Sequence, residues 1–318
     1  MSTVEASSRA ILAAKQRRDV NARVEGPGSE RAVVRALLRS FSRMAVRRRR
    51  SWERGLVTGA SSGIGTAYAL RLAAEGTHLV LVARDHERLE ELAQRCRRDH
   101  GVDVEVLVAD LSDEYQLARV EHRLSASPRI DLLVNNAGIG TFGAFHKLPL
   151  SGELREINLN IGVLVRLAHA AVRSMTENGS GAVLNVSSIM ALQPSPGSAT
   201  YAASKAFVTS FSEALHEEVR GTPVSVTAVM PGMVRTGFME HSGAAHHLDA
   251  VPAFARLSPD HVAKDSLRAA RKGKALSIPG RGYKLMAAML AATPRGLVRR
   301  FAGIAAKHMG SQQPDIRL

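Results

Sequence analysis

Tyr201 and Lys205 stand four residues apart in Tyr-Ala-Ala-Ser-Lys, a spacing that puts both side chains on one face of a helix. A phenol with an ordinary pKa of about 10 is a poor proton donor or acceptor at neutral pH; a neighbouring ammonium favours the phenolate and lowers that value. The pair therefore reads as a general acid/base that Lys205 tunes. A second signal is the run Thr58, Gly59, Ala60, Ser61, Ser62, Gly63, Ile64, Gly65, which lies between an apolar stretch and the helical pattern Thr66 to Glu75. Such a turn lets the backbone approach a pyrophosphate, and the helix behind it offers unpaired N–H groups and the positive end of its dipole. Taken alone, the same glycines also suit a tight turn that binds nothing.

About twenty residues on, the apolar run Leu79 to Ala83 ends in Arg84-Asp85. In a dinucleotide fold this position meets the adenosine ribose, where a carboxylate suits a free 2′-hydroxyl and an arginine a 2′-phosphate. Arg84 thus favours NADP(H) over NAD(H), with a solvated loop arginine as the bland reading and Asp85 as the start of the next helix. Asp110-Leu111 follows the next apolar run and can set a carboxylate near the adenine edge or cap a helix.

These groups need a scaffold that brings distant loops together. Short apolar runs near 55–58, 79–83, 104–108, 131–135, 182–187, 224–230 and 276–278 alternate with longer helical patterns. Strands too continuously apolar to have a wet face signal a parallel sheet covered on both sides. The expectation is one doubly wound, Rossmann-like α/β domain of about seven strands over 55–280. A basic, partly disordered extension would precede it over 1–54, and basic amphipathic helices would follow over 281–318. The stretch 233–257 has no steady period and reads as a functional loop.

From residue 55 to about 280 the chain resembles the short-chain dehydrogenase/reductase family. The resemblance rests on Thr58 to Gly65, Asp110, Asn135-Asn136-Ala137-Gly138, Asn160, Ser188 thirteen residues before Tyr201, and Tyr201-x-x-x-Lys205. Pro231-Gly232 with Thr236 resembles the family's nicotinamide-side motif. The resemblance implies that Tyr201 moves the proton while hydride is exchanged with the nicotinamide, and that Ser188 hydrogen-bonds the substrate oxygen. It also implies that Lys205 holds the ribose and that Asn160 anchors a water in a proton relay. Asn136, Ala137, Gly138, Pro231, Gly232 and Thr236 join the glycine turn, Arg84, Asp110 and Leu111 as cofactor contacts. Asn158 competes with Asn160 for the relay, and Gly162-Val163 favours Asn160. Ser187 is expected only to end a strand.

Composition limits the remaining function classes. The chain has 318 residues and a net charge of +14, which would suggest a nucleic-acid binder if the charge were evenly spread. It is not: residues 1–54 hold 14 basic and 5 acidic side chains (+9), residues 268–318 hold 11 and 1 (+10), and 55–267 hold 18 and 23 (−5). No nucleic-acid partner is therefore expected, whereas Glu30 to Arg50 and Leu297 to Ile304 could lie as basic amphipathic helices on an anionic membrane. The same helices could instead cover a cleft or a subunit contact. A single cysteine, Cys96, and no run of about 18 apolar residues point to a reducing, cytoplasmic location with at most peripheral membrane contact. His246-His247 has no further ligand beside it, and no metal is expected. Phe142, Phe145, Met190, Leu192, Met233, Phe238 and Met239 lean toward a lipophilic substrate, and a homo-oligomer is expected. A nucleotide sensor or membrane-associated scaffold without turnover is the alternative, but a non-catalyst has no need of all four of Asn160, Ser188, Tyr201 and Lys205.

Overall fold

The apolar runs become strands in the computed structural model, which describes residues 52–236, Phe238 and 255–310. They are β1 (Arg54–Thr58), β2 (His78–Ala83), β3 (Val104–Val108), β4 (Leu132–Asn135), β5 (Gly181–Val186), β6 (Val224–Val229) and β7 (Leu276–Ser277). Each lies within one residue of its expected ends. All pair in parallel, in the order β3-β2-β1-β4-β5-β6-β7. The chain divides into Met1–Arg50 and Ser51–Leu318, and the described residues belong to the second unit. The expected helix Glu30 to Arg50 and most of the 233–257 loop lie outside them.

Strand β2 shows why the sheet is covered on both sides. Leu79 and Leu81 enter one buried cluster with Tyr68, Leu72 and Leu89, while Val80 and Val82 enter another with Leu117, Val120 and Leu167. Period-two alternation with both faces apolar is what two layers of helices require. The crossovers are α1 (Gly63–Ala74), α2 (His86–His100), α3 (Glu114–Ser125), α4 (Leu150–Ile157) with α5 (Leu164–Glu177), α6 (Ala199–Glu218) and α7 (Pro259–Arg271). The helices α8 (Arg281–Ala292) and α9 (Arg295–Gly310) follow the last strand.

Two helix starts are closed by their own sequence. Asp85 accepts from Arg88 N at 3.1 Å and Asp113 from Gln116 N at 2.9 Å, capping α2 and α3. Helix α1 differs, because Ser62 makes no side-chain cap and the first-turn N–H groups are left for another partner. Between α4 and α5 the chain runs through a π-helical stretch, Asn158–Val163, a distortion frequent at functional sites.

Candidate active site

Strand order reverses between β1 and β4, and the loops leaving the carboxyl ends of a doubly wound sheet part there to form a crevice. In this protein a cavity of about 770 Å³ opens at that edge. One end of it is lined by Gly59, Ser61, Ser62, Gly63 and Ile64 of the turn, by Arg84, Asp110 and Leu111, and by Asn136, Ala137 and Gly138 after β4. Pro231, Gly232 and Thr236 close it from beyond β6, and Ser188, Tyr201 and Lys205 line the same space.

The glycine turn is fixed by close approaches. A Cβ on Gly65 would sit 2.1 Å from the Gly59 carbonyl oxygen, so only glycine lets α1 press onto the turn. Gly59 has φ +65°, and a side chain there would meet Asn136 Nδ2 at 2.9 Å. Two of the expected cofactor contacts, Thr58 and Gly65, do not line the cavity. Thr58 is buried and accepts from Asn136 N and Ala137 N at 3.0 Å through its hydroxyl, holding the β4 loop against β1. Both residues therefore shape the cradle from behind.

At the position expected to meet the ribose the carboxylates are already engaged: Asp85 caps α2, and Asp110 accepts from Ser112 N at 2.9 Å. Asp113, not Asp110, caps α3. Arg84 reaches Asp110 only at 4.0 Å and keeps an exposed guanidinium. Arg88, which the sequence reading passed over, lines the cavity beside it.

The end that holds Tyr201 is more deeply buried. Tyr201 and Lys205 are buried on one face of α6, and Lys205 Nζ donates to Val186 O at 3.0 Å and lies 5.7 Å from the Tyr201 ring centroid. Burial pushes the Tyr201 hydroxyl up to about 12; its hydrogen bond with Ser188 opposes the rise and the Glu156 charge adds to it. The expected lowering of this phenol by Lys205 is thus not what the protein shows. Desolvation sets the direction, and it likewise brings the Lys205 ammonium down to about 8, opposed by Glu156. Ser188 lines the cavity and accepts from Met190 N at 3.2 Å. Ser187 is turned inward, donating to Lys205 O and pairing with Thr209.

Of the two asparagines, Asn158 is exposed and Asn160 buried. Asn160 accepts from Ile139 N at 3.0 Å and donates to Ile139 O at 2.9 Å and Ser204 Oγ at 3.0 Å. It stands behind the cavity wall, not in it: a Cβ on Gly138 would lie 3.0 Å from Asn160 Oδ1 and 3.4 Å from Lys205 Nζ.

Phe142 and Phe238 flank Tyr201, with ring centroids at 5.9 and 5.7 Å, and Met190 and Met233 complete an apolar wall. Phe145 is exposed, neither it nor Leu192 lines the cavity, and Met239 lies outside the described residues. Three further residues escaped the sequence reading. Tyr283 of α8 accepts from Met233 N at 3.0 Å and donates to Ala255 O at 2.9 Å, and its ring packs on Gly232, tying down the loop after β6. Glu153 and Glu156 of α4 are buried carboxylates whose signal was the spacing 153, 156, 160 on one helical face. Among the described residues no cluster of metal-binding side chains occurs.

This constellation of glycine turn, Ser188, Tyr201 and Lys205 on a doubly wound sheet defines a nicotinamide-dinucleotide oxidoreductase scaffold, and residues 54–246 match the family model for short chain dehydrogenases. The chain belongs to that family. It is 40% identical over 186 residues to sulfoacetaldehyde reductase 2 of Chromohalobacter salexigens, covering 58% of this chain and 73% of that one. Human 17-beta-hydroxysteroid dehydrogenase type 3 is 33% identical over 213 residues, covering 66% of this chain and 65% of that one. Among solved structures, a short-chain dehydrogenase from Sphingobium yanoikuyae in complex with NADPH superimposes with a TM-score of 0.68 at 35% identity, covering 83% of this chain and 96% of that one. The bulky-bulky ketone specific alcohol dehydrogenase from Comamonas testosteroni gives 0.67 at 30% identity, with 85% and 98% covered.

Proposed function

We propose that the protein interconverts a carbonyl and an alcohol on a lipophilic substrate, using NADP(H) in preference to NAD(H). The observation that carries this reading is that Tyr201, Ser188 and Lys205 face one cavity with the glycine turn and the uncapped start of α1. That cradle fits a dinucleotide: backbone N–H groups for a pyrophosphate, Arg84 and Arg88 for a 2′-phosphate, and Lys205 for ribose hydroxyls. When bound, the dinucleotide supplies or accepts the hydride. Tyr201 Oη gives its proton to the carbonyl oxygen in reduction and takes it back in oxidation, while Ser188 donates a hydrogen bond to the same oxygen. Asn160 holds the wall beside Lys205, placing the ammonium next to the path by which the proton is replaced.

Phe142, Phe238, Met190 and Met233 around Tyr201 favour an apolar ketone, aldehyde or secondary alcohol over a sugar. The 17-beta-hydroxysteroid dehydrogenase and bulky-bulky ketone names of two relatives agree with such a substrate. The test is a panel of lipophilic ketones and alcohols followed by absorbance of the reduced cofactor, with Tyr201→Phe as control. The ring and cofactor binding should remain while turnover falls by more than about 10²-fold. A variant as fast as the wild type refutes the assignment.

A second reading concerns location. Leu285 and Met289 on α8 and Leu297, Phe301 and Ile304 on α9 are exposed, and from Arg281 to Gly310 the sequence holds four arginines, two lysines and no acid. We infer peripheral contact with anionic lipid, each cation near the surface adding about 1 kcal/mol. No helix among the described residues is long and apolar enough to cross a membrane. Cosedimentation with phosphatidylserine vesicles that weakens with salt, and with Leu297→Glu plus Phe301→Glu, is the expected result. No binding even at low salt refutes it and leaves these faces to a second copy, for which light scattering tests the expected homo-oligomer.

A further inference from the structure

One face of α4 and the π-helical stretch after it carries Glu153, Glu156 and Asn160, and this face is polar although it is buried. Each member reaches a specific place. Glu153 accepts from Thr200 Oγ1, Glu156 Oε2 accepts from both Thr141 N and Thr141 Oγ1 at 2.7 Å, and Asn160 binds Ile139 and Ser204. The match is geometric. Glu156 and Asn160 are four residues apart, about 6 Å along a helix, and Ile139 and Thr141 are two apart, about 6.6 Å along an extended chain. A helical turn therefore holds alternate residues of the cavity wall, while Thr200 and Ser204, one turn apart on α6, immediately precede Tyr201 and Lys205.

Hydrogen bonding satisfies only half of each carboxylate. Oε1 of Glu153 and Oε1 of Glu156 are buried without a partner, and an uncompensated charge in such surroundings acts over a longer range than one in water. An apolar side chain would have packed this face at less cost. A carboxylate at position 156 thus calls for a reason beyond holding Thr141.

We propose that Glu156 is a positioning residue that holds the Ile139–Thr141 wall and, as a carboxylate, keeps the Lys205 side chain in its ammonium form. The proposal rests on the reading of Lys205 as the cation of the site. The charged and titratable groups around Glu156 are few. On its own helix Glu153 raises the carboxyl's pKa; from α6 Lys205 lowers it, and Tyr201 responds to the Glu156 charge. The 138–142 wall contributes no ionisable side chain. Burial drives the Glu156 carboxyl upward and the two Thr141 donors hold its ionised form. Its negative charge in turn opposes the desolvation that strips the proton from Lys205. Removing that charge lets Lys205 lose its proton at lower pH, and lowers the Tyr201 phenol too.

The test reads Lys205 directly and needs neither substrate nor cofactor. Full-length protein is labelled with trace acetic anhydride between pH 6 and 10, and acetylation of Lys205 is measured by peptide mass spectrometry. In the wild type labelling should rise with a midpoint near 8. Glu156→Gln keeps an acceptor for Thr141 and loses the charge, so its curve should move to lower pH, with labelling at pH 7 about threefold faster or more. Glu156→Asp keeps the charge and shortens the reach, so its midpoint should stay with the wild type although the fold melts earlier. A Gln curve that superimposes on the wild type overturns the proposal, as does an Asp curve displaced to lower pH, even if the Gln variant does not fold. Loss of carbonyl reduction by the wild type would refute the reaction assigned above without touching this result.

Discussion

Lys205→Met should make this protein more stable and leave it without activity. Lys205 is 5% exposed, and burial brings its ammonium from the ordinary 10.5 to about 8. Holding the charged form inside therefore costs about 3 kcal/mol at pH 7. Methionine fills similar space without the charge, but Val186 O loses its donor at 3.0 Å, which returns about 1–2 kcal/mol. The net expectation at pH 7 is a gain of about 1–2 kcal/mol, a rise in Tm of roughly 2–8 °C for a domain of this size. The sign reverses the usual salt-bridge case. Between pH 8 and 10.5 the unfolded lysine binds a proton that the folded one does not, so wild-type stability rises with pH through that window and the variant's advantage shrinks. Urea and thermal melts of both proteins at pH 7 and 9.5, below the range where Tyr201 ionises, measure the difference. A variant less stable than the wild type at pH 7, or an advantage that does not change with pH, would show that Lys205 is not buried as a strained cation.

Other consequences follow from the same geometry. Arg84→Ala should shrink the preference for NADPH over NADH, read by calorimetry, and equal affinity of the wild type for both cofactors would move weight to Asp85 as a ribose ligand. Gly65→Ala should weaken dinucleotide binding and destabilise the fold by about 1–3 kcal/mol, because its Cβ cannot avoid the Gly59 carbonyl at 2.1 Å; wild-type affinity in this variant would refute the cradle. Tyr283→Phe leaves Met233 N and Ala255 O without their shared partner. It should raise KM for substrate by severalfold with a smaller change in kcat, and an unchanged KM would detach α8 from the site.

The strands were legible because parallel, doubly covered strands write themselves as unbroken apolar runs. The ends of Leu79–Ala83 and Val104–Val108 needed only Arg-Asp and Ala-Asp after them to be placed. Legibility failed where a residue's role depends on which neighbour it meets. Thr58 and Gly65 belong to the motif by position, yet one hydrogen-bonds the β4 loop and the other clears the way for Gly59 O. Neither duty leaves a trace in local sequence. Tyr283 clamps the loop after β6 from fifty residues away, a contact that only the packing of α8 reveals. The tuning of Tyr201 failed for a further reason. The i,i+4 spacing brought an ammonium close, but its effect depends on how much water surrounds both groups, and here desolvation dominates. Glu153 and Glu156 left no motif of their own, since charged side chains near a helix start ordinarily face solvent. A pair of acids in phase with Asn160, at 153 and 156, is a pattern whose burial follows once Asn160 is placed behind the cavity wall. The helix that presents one must present the others to the same wall.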